Sequence, residues 1–456
     1  MSLEVTAGIQ RGDDETERRH GNIKDHHHQM IDSSCERVEG VLSWTHLGIP
    51  AKKLKGMQRK LKVAHLSDMP TGGAAVAANR LVRGLAASNE VCLERWVFGK
   101  AEVPDLPVEQ IALEKRCPKT FLERVVRVFS RKGAKALQNI RQRKALLTAI
   151  ATRKPDILHL HNLHASALRH RDLLALPRNM RIAWTMHDEW PFAPWAYHWL
   201  DPDGRECFQG KESPNGQFDR AQFFRERPDV VLISPSRWLA DQAHTFCGAG
   251  VRVEVIPNGI ETEIFSPHPK TESKARLGLD PEHAWLGLAA ASFDQRKGAH
   301  VLKKALTGIN KHSIGLAIWG PPDQSTWPDG IRVKQFGFVC RDQELATLYS
   351  AVDLFVCPSL IDNLPNTILE SMACGTPVVA SSAGGIPDMV HRGETGWLYN
   401  DNSSQACANA LQDALISKEQ WARYAGNCRA LITGNFSLEK QTASYLELYR
   451  NMRLPL

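Results

Sequence analysis

The 456-residue sequence contains no run of about 18 consecutive apolar residues, the length a membrane-crossing helix needs. Its opening stretch, MSLEVTAGIQRGDDETERRHGNIKDHHHQM, lacks the apolar core of a secretory signal, so the chain is expected in the cytoplasm. The 10 cysteines are scattered and include no CxxC pair. That argues against a zinc ribbon or a disulfide framework and for free thiols in a reducing compartment. There is no GxGxxG, and no Asp or Glu closes the second strand as a dinucleotide site would require. No short-period repeat is present, and the basic residues match no nucleic-acid-binding module. His26, His27 and His28 stand in a polar stretch without spaced Cys or His partners, so a solvated tail is the better reading than a metal site.

What remains is a globular composition, with 43% apolar and 23% charged residues. A chain this long exceeds one ordinary core and fits two domains of about 200 residues each. The net charge of +7 suits an anionic ligand or an acidic membrane surface without selecting either.

Residues 1–58 are rich in charge, Gly and His with no sustained period, and read as a disordered extension. Order is expected to begin at LKVAHLS (61–67), a buried strand, followed by Gly72-Gly73 and an Ala- and Leu-rich helix. Strand, glycine turn and helix open a Rossmann-like unit. Further strands are expected at VCLERWVFG, DILHLH, RIAWTMH and VVLISPS, and then at WLGLAAASF, SIGLAIWG, VKQFGF, DLFVCPS and TPVVASS. Short apolar runs separated by helical segments imply parallel sheets covered on both faces. The expected organisation is an α/β fold with one Rossmann-like domain over 59–250 and a second over 251–432. A C-terminal helix is expected within 433–456, where Leu438, Tyr445, Leu446 and Tyr449 fall at helical spacing.

The most informative stretch is PSLIDNLPNTILESMACGTPVVASSAGGIPDMV (358–390). A strand ends in the loop LIDNLPN, and a short helix from Thr367 to Cys374 is stopped by Gly375, with Pro377 beyond. Ligands of open α/β sheets bind at such strand ends, and the N–H groups of Asn366 and Thr367 at the helix start suit a diphosphate. Asp362 and Glu370 frame this loop. A carboxylate accepts both hydrogen bonds of a cis-diol, as ribose and hexose offer.

With those residues in view, the stretch resembles the E-x7-E motif of retaining GT-B glycosyltransferases of family 4 (glycosyl transferases group 1), of the exopolysaccharide and lipopolysaccharide type. Asp362 stands in place of the first glutamate. The resemblance covers roughly 61–452 and implies two Rossmann-like domains facing across a cleft, with the C-terminal helix of 433–456 crossing back to pack on the first domain. It also implies that Asp362 contacts the donor sugar and Glu370 the nucleotide ribose, with Asn363, Pro365, Asn366 and Thr367 in the donor loop. ASFDQRKG resembles the family's basic segment, in which an Arg and a Lys clamp the diphosphate. Lys297 matches the lysine, Ser292 occupies the usual arginine position, and Arg296 is a substitute whose side chain would point away from that of Lys297 on an extended segment. Gly72 and Gly73 match the glycine loop. WTMHDEW matches a His-Asp segment that would put His187, by side chain or carbonyl, at the face where the acceptor attacks.

HLHNLH (159–164) reads as packing and support rather than as metal ligands, and no metal or cofactor is expected beyond a UDP- or GDP-linked sugar substrate. Trp190, Trp195, Tyr197 and Trp199 either stack on an acceptor sugar or pack a loop, and Cys207 alone does not make a zinc site. The basic, amphipathic stretch 121–147 reads as an outer Rossmann helix with a solvated basic face, as a peripheral contact with the inner face of the plasma membrane near a glycan or lipid-linked acceptor, or as both, one face packing while the other meets lipid. The implied activity is hexosyl transfer in surface polysaccharide synthesis. A nucleotide-sugar epimerase, a phosphorylase and a non-catalytic sugar-binding partner remain the alternatives.

Overall fold

A computed structural model of the chain describes residues 59–453 apart from 69–71, 99–102, 104, 115–129, 165, 194–219, 221, 249, 290–294, 311–312 and 322–325. The expected extension over 1–58, part of the basic stretch 121–147, Ser292, Trp195, Tyr197, Trp199 and Cys207 lie outside the described residues.

The chain lays down β1 (Leu61–Ser67), α1 (Gly73–Ser88), β2 (Val91–Phe98), β3 (Glu109–Glu114), α2 (Arg131–Arg153), β4 (Ile157–Leu160), α3 (His170–Leu173), β5 (Arg181–Thr185), β6 (Val231–Ser234), α4 (Arg237–Cys247) and β7 (Arg252–Val255). These strands form a parallel sheet in the order β3-β2-β1-β4-β5-β6-β7. A second group follows: α5 (Lys270–Arg276), β8 (Ala284–Ala289), α6 (Ala299–Thr307), β9 (Ile314–Trp319), β10 (Arg332–Gln335), α7 (Asp342–Ala351), β11 (Leu354–Cys357), α8 (Asn366–Ala373), β12 (Val378–Ser381), β13 (Gly396–Tyr399), α9 (Ser404–Ile416) and α10 (Trp421–Asn435). Its parallel sheet runs β10-β9-β8-β11-β12-β13. Each sheet starts at a central strand, winds outward and then reverses beside its first strand. Each therefore has a switch point, between β1 and β4 and between β8 and β11, where the loops part and leave room for a ligand.

Both sheets are buried on two faces, as their continuous apolar runs require. In the first, Leu66, Leu158, Leu160, Trp184 and Leu232 pack under one face, and Val63, Ile157, Ala183 and Val231 under the other. The last helix, α11 (Leu438–Arg453), leaves the second domain and covers that other face with Tyr445, Leu446, Leu448 and Tyr449, beside Leu81 and Leu85 of α1. The two chain crossings between domains run side by side: Ile260 N–H donates to Phe436 O at 3.0 Å, and Leu438 N–H to Ile260 O at 2.9 Å. Gly259 permits this approach, since a Cβ there would lie 2.8 Å from Leu438 Cα.

Two expectations need correction. β7 pairs with β6 through Arg252 and Val255, so the first domain continues past the expected boundary at 250. The helix of the 358–390 stretch spans Asn366–Ala373, one residue earlier than expected, with Pro365 as its cap.

Candidate functional site

The loops that leave β8 and β11 flank the second switch point, and they bring the basic segment onto the acidic loop. Gln295–Lys297 forms a turn of 3-10 helix rather than an extended segment. Arg296 and Lys297 therefore converge instead of diverging. Lys297 Nζ lies 2.6 Å from Asp362 Oδ2, and Arg296 Nη1 lies 3.8 Å from the same oxygen. Backbone contacts lock the two loops together. Leu360 N–H donates to Arg296 O at 2.8 Å, and Gly298 adopts φ +69°, where a Cβ would sit 1.8 Å from Pro358 O. Gly385 N–H donates to Asp362 O at 3.0 Å. Gly384, at φ +59°, would put a Cβ 1.9 Å from that oxygen. Asp362 is thus held by backbone on one side and by two cations on the other.

Glu370, one turn inside α8, is buried with both carboxylate oxygens engaged. Arg80 Nη2 of α1 donates to Oε1 at 2.9 Å, and Tyr349 Oη of α7 donates to Oε2 at 2.7 Å. Arg80 also pairs with Glu261 through Nε at 3.0 Å and lies over the Phe265 ring, 5.0 Å from its centroid. Burial raises the Glu370 carboxyl above its ordinary range, and the Arg80 charge and the two hydrogen bonds pull it back. A carboxylate has about four acceptor sites, so two remain for a diol, but the ribose role expected of Glu370 is shared with a protein ion pair.

The first domain meets this loop with residues that follow β1, β5 and β6. Gly72, at φ +96°, caps the start of α1, and a Cβ on Gly72 or Gly73 would meet nothing within 4 Å. Gly73 O accepts from Asn366 Nδ2 at 3.0 Å. His187 is partly buried, and its carbonyl accepts from Asn363 Nδ2 at 3.3 Å. Ser236 Oγ donates to Asn363 Oδ1 at 2.6 Å. Burial lowers the His187 pKa to about 4, against the pull of the Asp188 carboxylate. The structure thus brings Gly73, His187, Arg296, Lys297, Asp362, Asn363 and Asn366 together where the two domains meet, with Gly72 at the start of α1, Pro365 capping α8, Thr367 in its first turn and Glu370 buried one turn inside it. Trp190 packs against Trp184 and His170 rather than standing clear as a stacking platform.

Comparison with known proteins is consistent with this geometry. A profile described as Glycosyltransferase Family 4 matches residues 71–264, and one described as Glycosyl transferases group 1 matches 285–417. The chain belongs to the group 1, family 4 glycosyltransferases. A D-inositol 3-phosphate glycosyltransferase of Corynebacterium glutamicum (strain R) is 26% identical over 261 residues, covering 52% of this chain and 62% of the relative. One from Catenulispora acidiphila is 30% identical over 223 residues, covering 44% and 48%. The chain therefore spans only about half to three fifths of the length of these two relatives. Among solved structures, the sucrose-phosphate synthase of Thermosynechococcus elongatus superposes with a TM-score of 0.67 at 20% identity, covering 86% of this chain and 99% of that one. Anabaena Alr3699/HepE in complex with UDP-glucose gives 0.63 at 16%, covering 86% and 100%. The chain shares with these structures the GT-B fold, an α/β architecture of two parallel sheets with their helices.

Sequence reasoning missed Arg80, Tyr349, Ser236 and the pair Gly384-Gly385. A faint signal exists for Arg80, which lies beside Ala77, Ala78 and Leu81 on the buried side of α1. Gly384-Gly385 follows a buried strand and marks a close backbone approach.

Proposed function

We propose that the chain transfers a hexose-type sugar from a UDP- or GDP-linked donor to a hydroxyl of a glycan or lipid-linked acceptor, with retention at the anomeric carbon. The observation that carries this reading is the convergence of Arg296, Lys297 and Asp362 at the second switch point, with the start of α8 beside them. Two cations and a helix start meet the negative charge that grows on a leaving diphosphate, and they do so without a metal ion. Asp362 takes the sugar hydroxyls, the free acceptor sites of Glu370 take the ribose, and His187 faces the sugar from the other domain. The family and the UDP-glucose complex of a GT-B structure support a nucleotide-sugar donor.

A role in surface polysaccharide synthesis follows from the exopolysaccharide resemblance. A peripheral membrane contact is supported by α2, where Lys135, Arg141, Arg143 and Lys144 are exposed while Leu146 and Ile150 are buried. Among the described residues, no helix is long and apolar enough to cross a membrane.

A second reading, a sugar-binding partner without turnover, draws on the ion pairs that already engage Lys297, Asp362 and Glu370. Release of nucleoside diphosphate from a panel of UDP- and GDP-sugars separates the two readings. Release that requires an acceptor supports transfer, whereas release from no donor under any condition favours the binding partner. Interconversion of donor sugars without an acceptor would indicate an epimerase.

A further inference from the structure

Behind His187, on the face of the first sheet covered by α11, lies a row of polar groups that the proposed reaction does not use. His65 on β1 is in register with His159 on β4, because these are the two strands of the switch point. Alternation puts His161, Thr185 and His187 on the same face. Tyr445 and Tyr449, one turn apart on α11, close over them. The contacts form a single chain. Tyr445 Oη lies 2.8 Å from Thr185 Oγ1, which lies 2.7 Å from His159 Nε2. His159 Nδ1 lies 2.6 Å from Tyr449 Oη, and that hydroxyl lies 3.4 Å from His65 Nε2. His65 Nδ1 lies 3.0 Å from His161 Nε2, and His161 Nδ1 lies 3.2 Å from His187 Nε2.

Burial lowers all four histidines: His65 to about 3, with the Arg95 charge adding to the effect, His187 to about 4, and His159 and His161 well below the ordinary value. At neutral pH each ring is therefore uncharged, with one N–H donor and one acceptor nitrogen. A chain of such groups has only two self-consistent senses, since every member accepts from one neighbour and donates to the next. In one sense all four histidines carry the proton on Nδ1, and in the other all four carry it on Nε2. The buried end decides between them. Tyr445 is 1% exposed, and among the described residues Thr185 Oγ1 is the hydrogen-bond partner of its hydroxyl. If Thr185 donated to Tyr445, the buried Tyr445 O–H would be left unpaired, at a cost of about 1–3 kcal/mol. Tyr445 therefore donates, and the sense propagates outward.

We propose that this relay fixes His187 as the neutral Nδ1–H tautomer, with Nε2 accepting from His161, so that His187 offers the cleft a hydrogen-bond donor and not a base. The role of that donor rests on the proposed transfer, where it would meet a sugar hydroxyl or a phosphate oxygen. The tautomer itself does not depend on it. Tyr445, Tyr449, His65, His159 and His161 are then positioning residues. The same cluster could suggest a metal site, because the ring nitrogens of His65, His159 and His161 lie within 4.8 Å of one another. Both nitrogens of His159 already face hydroxyls at hydrogen-bond distance, which argues for the relay.

The test is a long-range proton–nitrogen NMR spectrum of the full chain labelled with 15N-histidine, at neutral pH. The four signals are assigned through single His→Gln variants. All four are expected as Nδ1–H with an unprotonated Nε2. Mixed tautomers, or Nε2–H at His187, overturn the proposal, as does stoichiometric zinc in the purified protein that is lost in His65→Gln. In Tyr449→Phe the link between His159 and His65 is cut, and His187 is expected to populate both tautomers. If turnover is established, its kcat falls about tenfold with donor KM within twofold. An unchanged His187 signal in that variant contradicts the relay. Should Tyr449→Phe fail to fold, Tyr445→Phe removes the terminal donor and is expected to release the same tautomer. Failure to find any sugar transfer would leave this spectroscopic outcome decisive.

Discussion

Arg80 and Glu370 form a buried ion pair, 2.9 Å long, that joins the first Rossmann-like domain to the second through the carboxylate expected to hold the donor ribose. Arg80 is only 1% exposed and Glu370 6%, so neither charge has water to fall back on. Removing Arg80 leaves the buried Glu370 carboxylate without its cation, with the Tyr349 hydroxyl still donating to it. Arg80→Gln is expected to destabilise the chain by about 3–5 kcal/mol, read as a drop in denaturant midpoint. Combining it with Glu370→Gln should recover part of that loss, because the double variant leaves no buried charge unpaired at this contact. Additive losses in the double variant would mean that the pair is not coupled.

Lys297 is partly exposed and lies 2.6 Å from Asp362, so its loss should affect chemistry more than folding. Lys297→Met is expected to lower kcat for sugar transfer by about 10²–10³-fold with little change in melting temperature. Lys297→Arg should recover part of the rate, since it restores a cation at the diphosphate. Steady-state kinetics beside a thermal melt separates the two effects.

Gly384 makes a backbone prediction. Its φ of +59° and the 1.9 Å approach of an added Cβ to Asp362 O leave no room for a side chain. Gly384→Ala is expected to cost at least about 1–2 kcal/mol from the left-handed backbone alone and to displace Asp362 as well. Donor KM should rise more than it does in a Gly393→Ala control, because Gly393, at φ +81°, has nothing within 4 Å of its added Cβ. Equal effects of the two substitutions would show that the close approach is unimportant.

The buried histidines set the direction of acid sensitivity. Their folded-state pKa values, about 3 for His65 and His170 and about 4 for His187, lie below the 6.5 of an unfolded chain. Between about pH 6.5 and 4 the unfolded state binds more protons, so stability is present above pH 6.5 and falls as pH drops through that window. Each such histidine can contribute about 2 kcal/mol of loss at pH 5. Chemical denaturation at pH 7 and pH 5 should show a steep drop in wild type and a shallower one in His170→Asn. Parallel curves would contradict the assignment.

Much of this was legible in the sequence, for physical reasons. Buried parallel strands write continuous apolar runs, and β1, β4, β5, β6, β8, β9, β11 and β12 were all visible as such. The strands that were missed or misplaced lie toward sheet edges. β3 (EQIALE) mixes charge with its apolar residues, and β13 (GWLY) is only four residues long. β7 (RVEV) is exposed at both ends, and it lies just past the boundary expected at 250, which its pairing with β6 removes. The donor loop was readable because a strand end, a helix start and two carboxylates fall within one short stretch. Arg296 was misread because its direction depends on a single turn of 3-10 helix, which adjacent residues do not announce. Arg80 was missed because its partners Glu261 and Glu370 lie 181 and 290 positions away in sequence.

The central claim is that the cleft between Lys297 and Glu370 binds a nucleoside diphosphate, and isothermal titration of the full chain with UDP and with GDP tests it most directly. Saturable binding of one of them at one site per chain is expected, weakened at least tenfold in both Lys297→Met and Glu370→Gln while Arg143→Gln on α2 binds as wild type does. Absence of binding by either nucleotide, or equal affinity in all variants, would contradict the account.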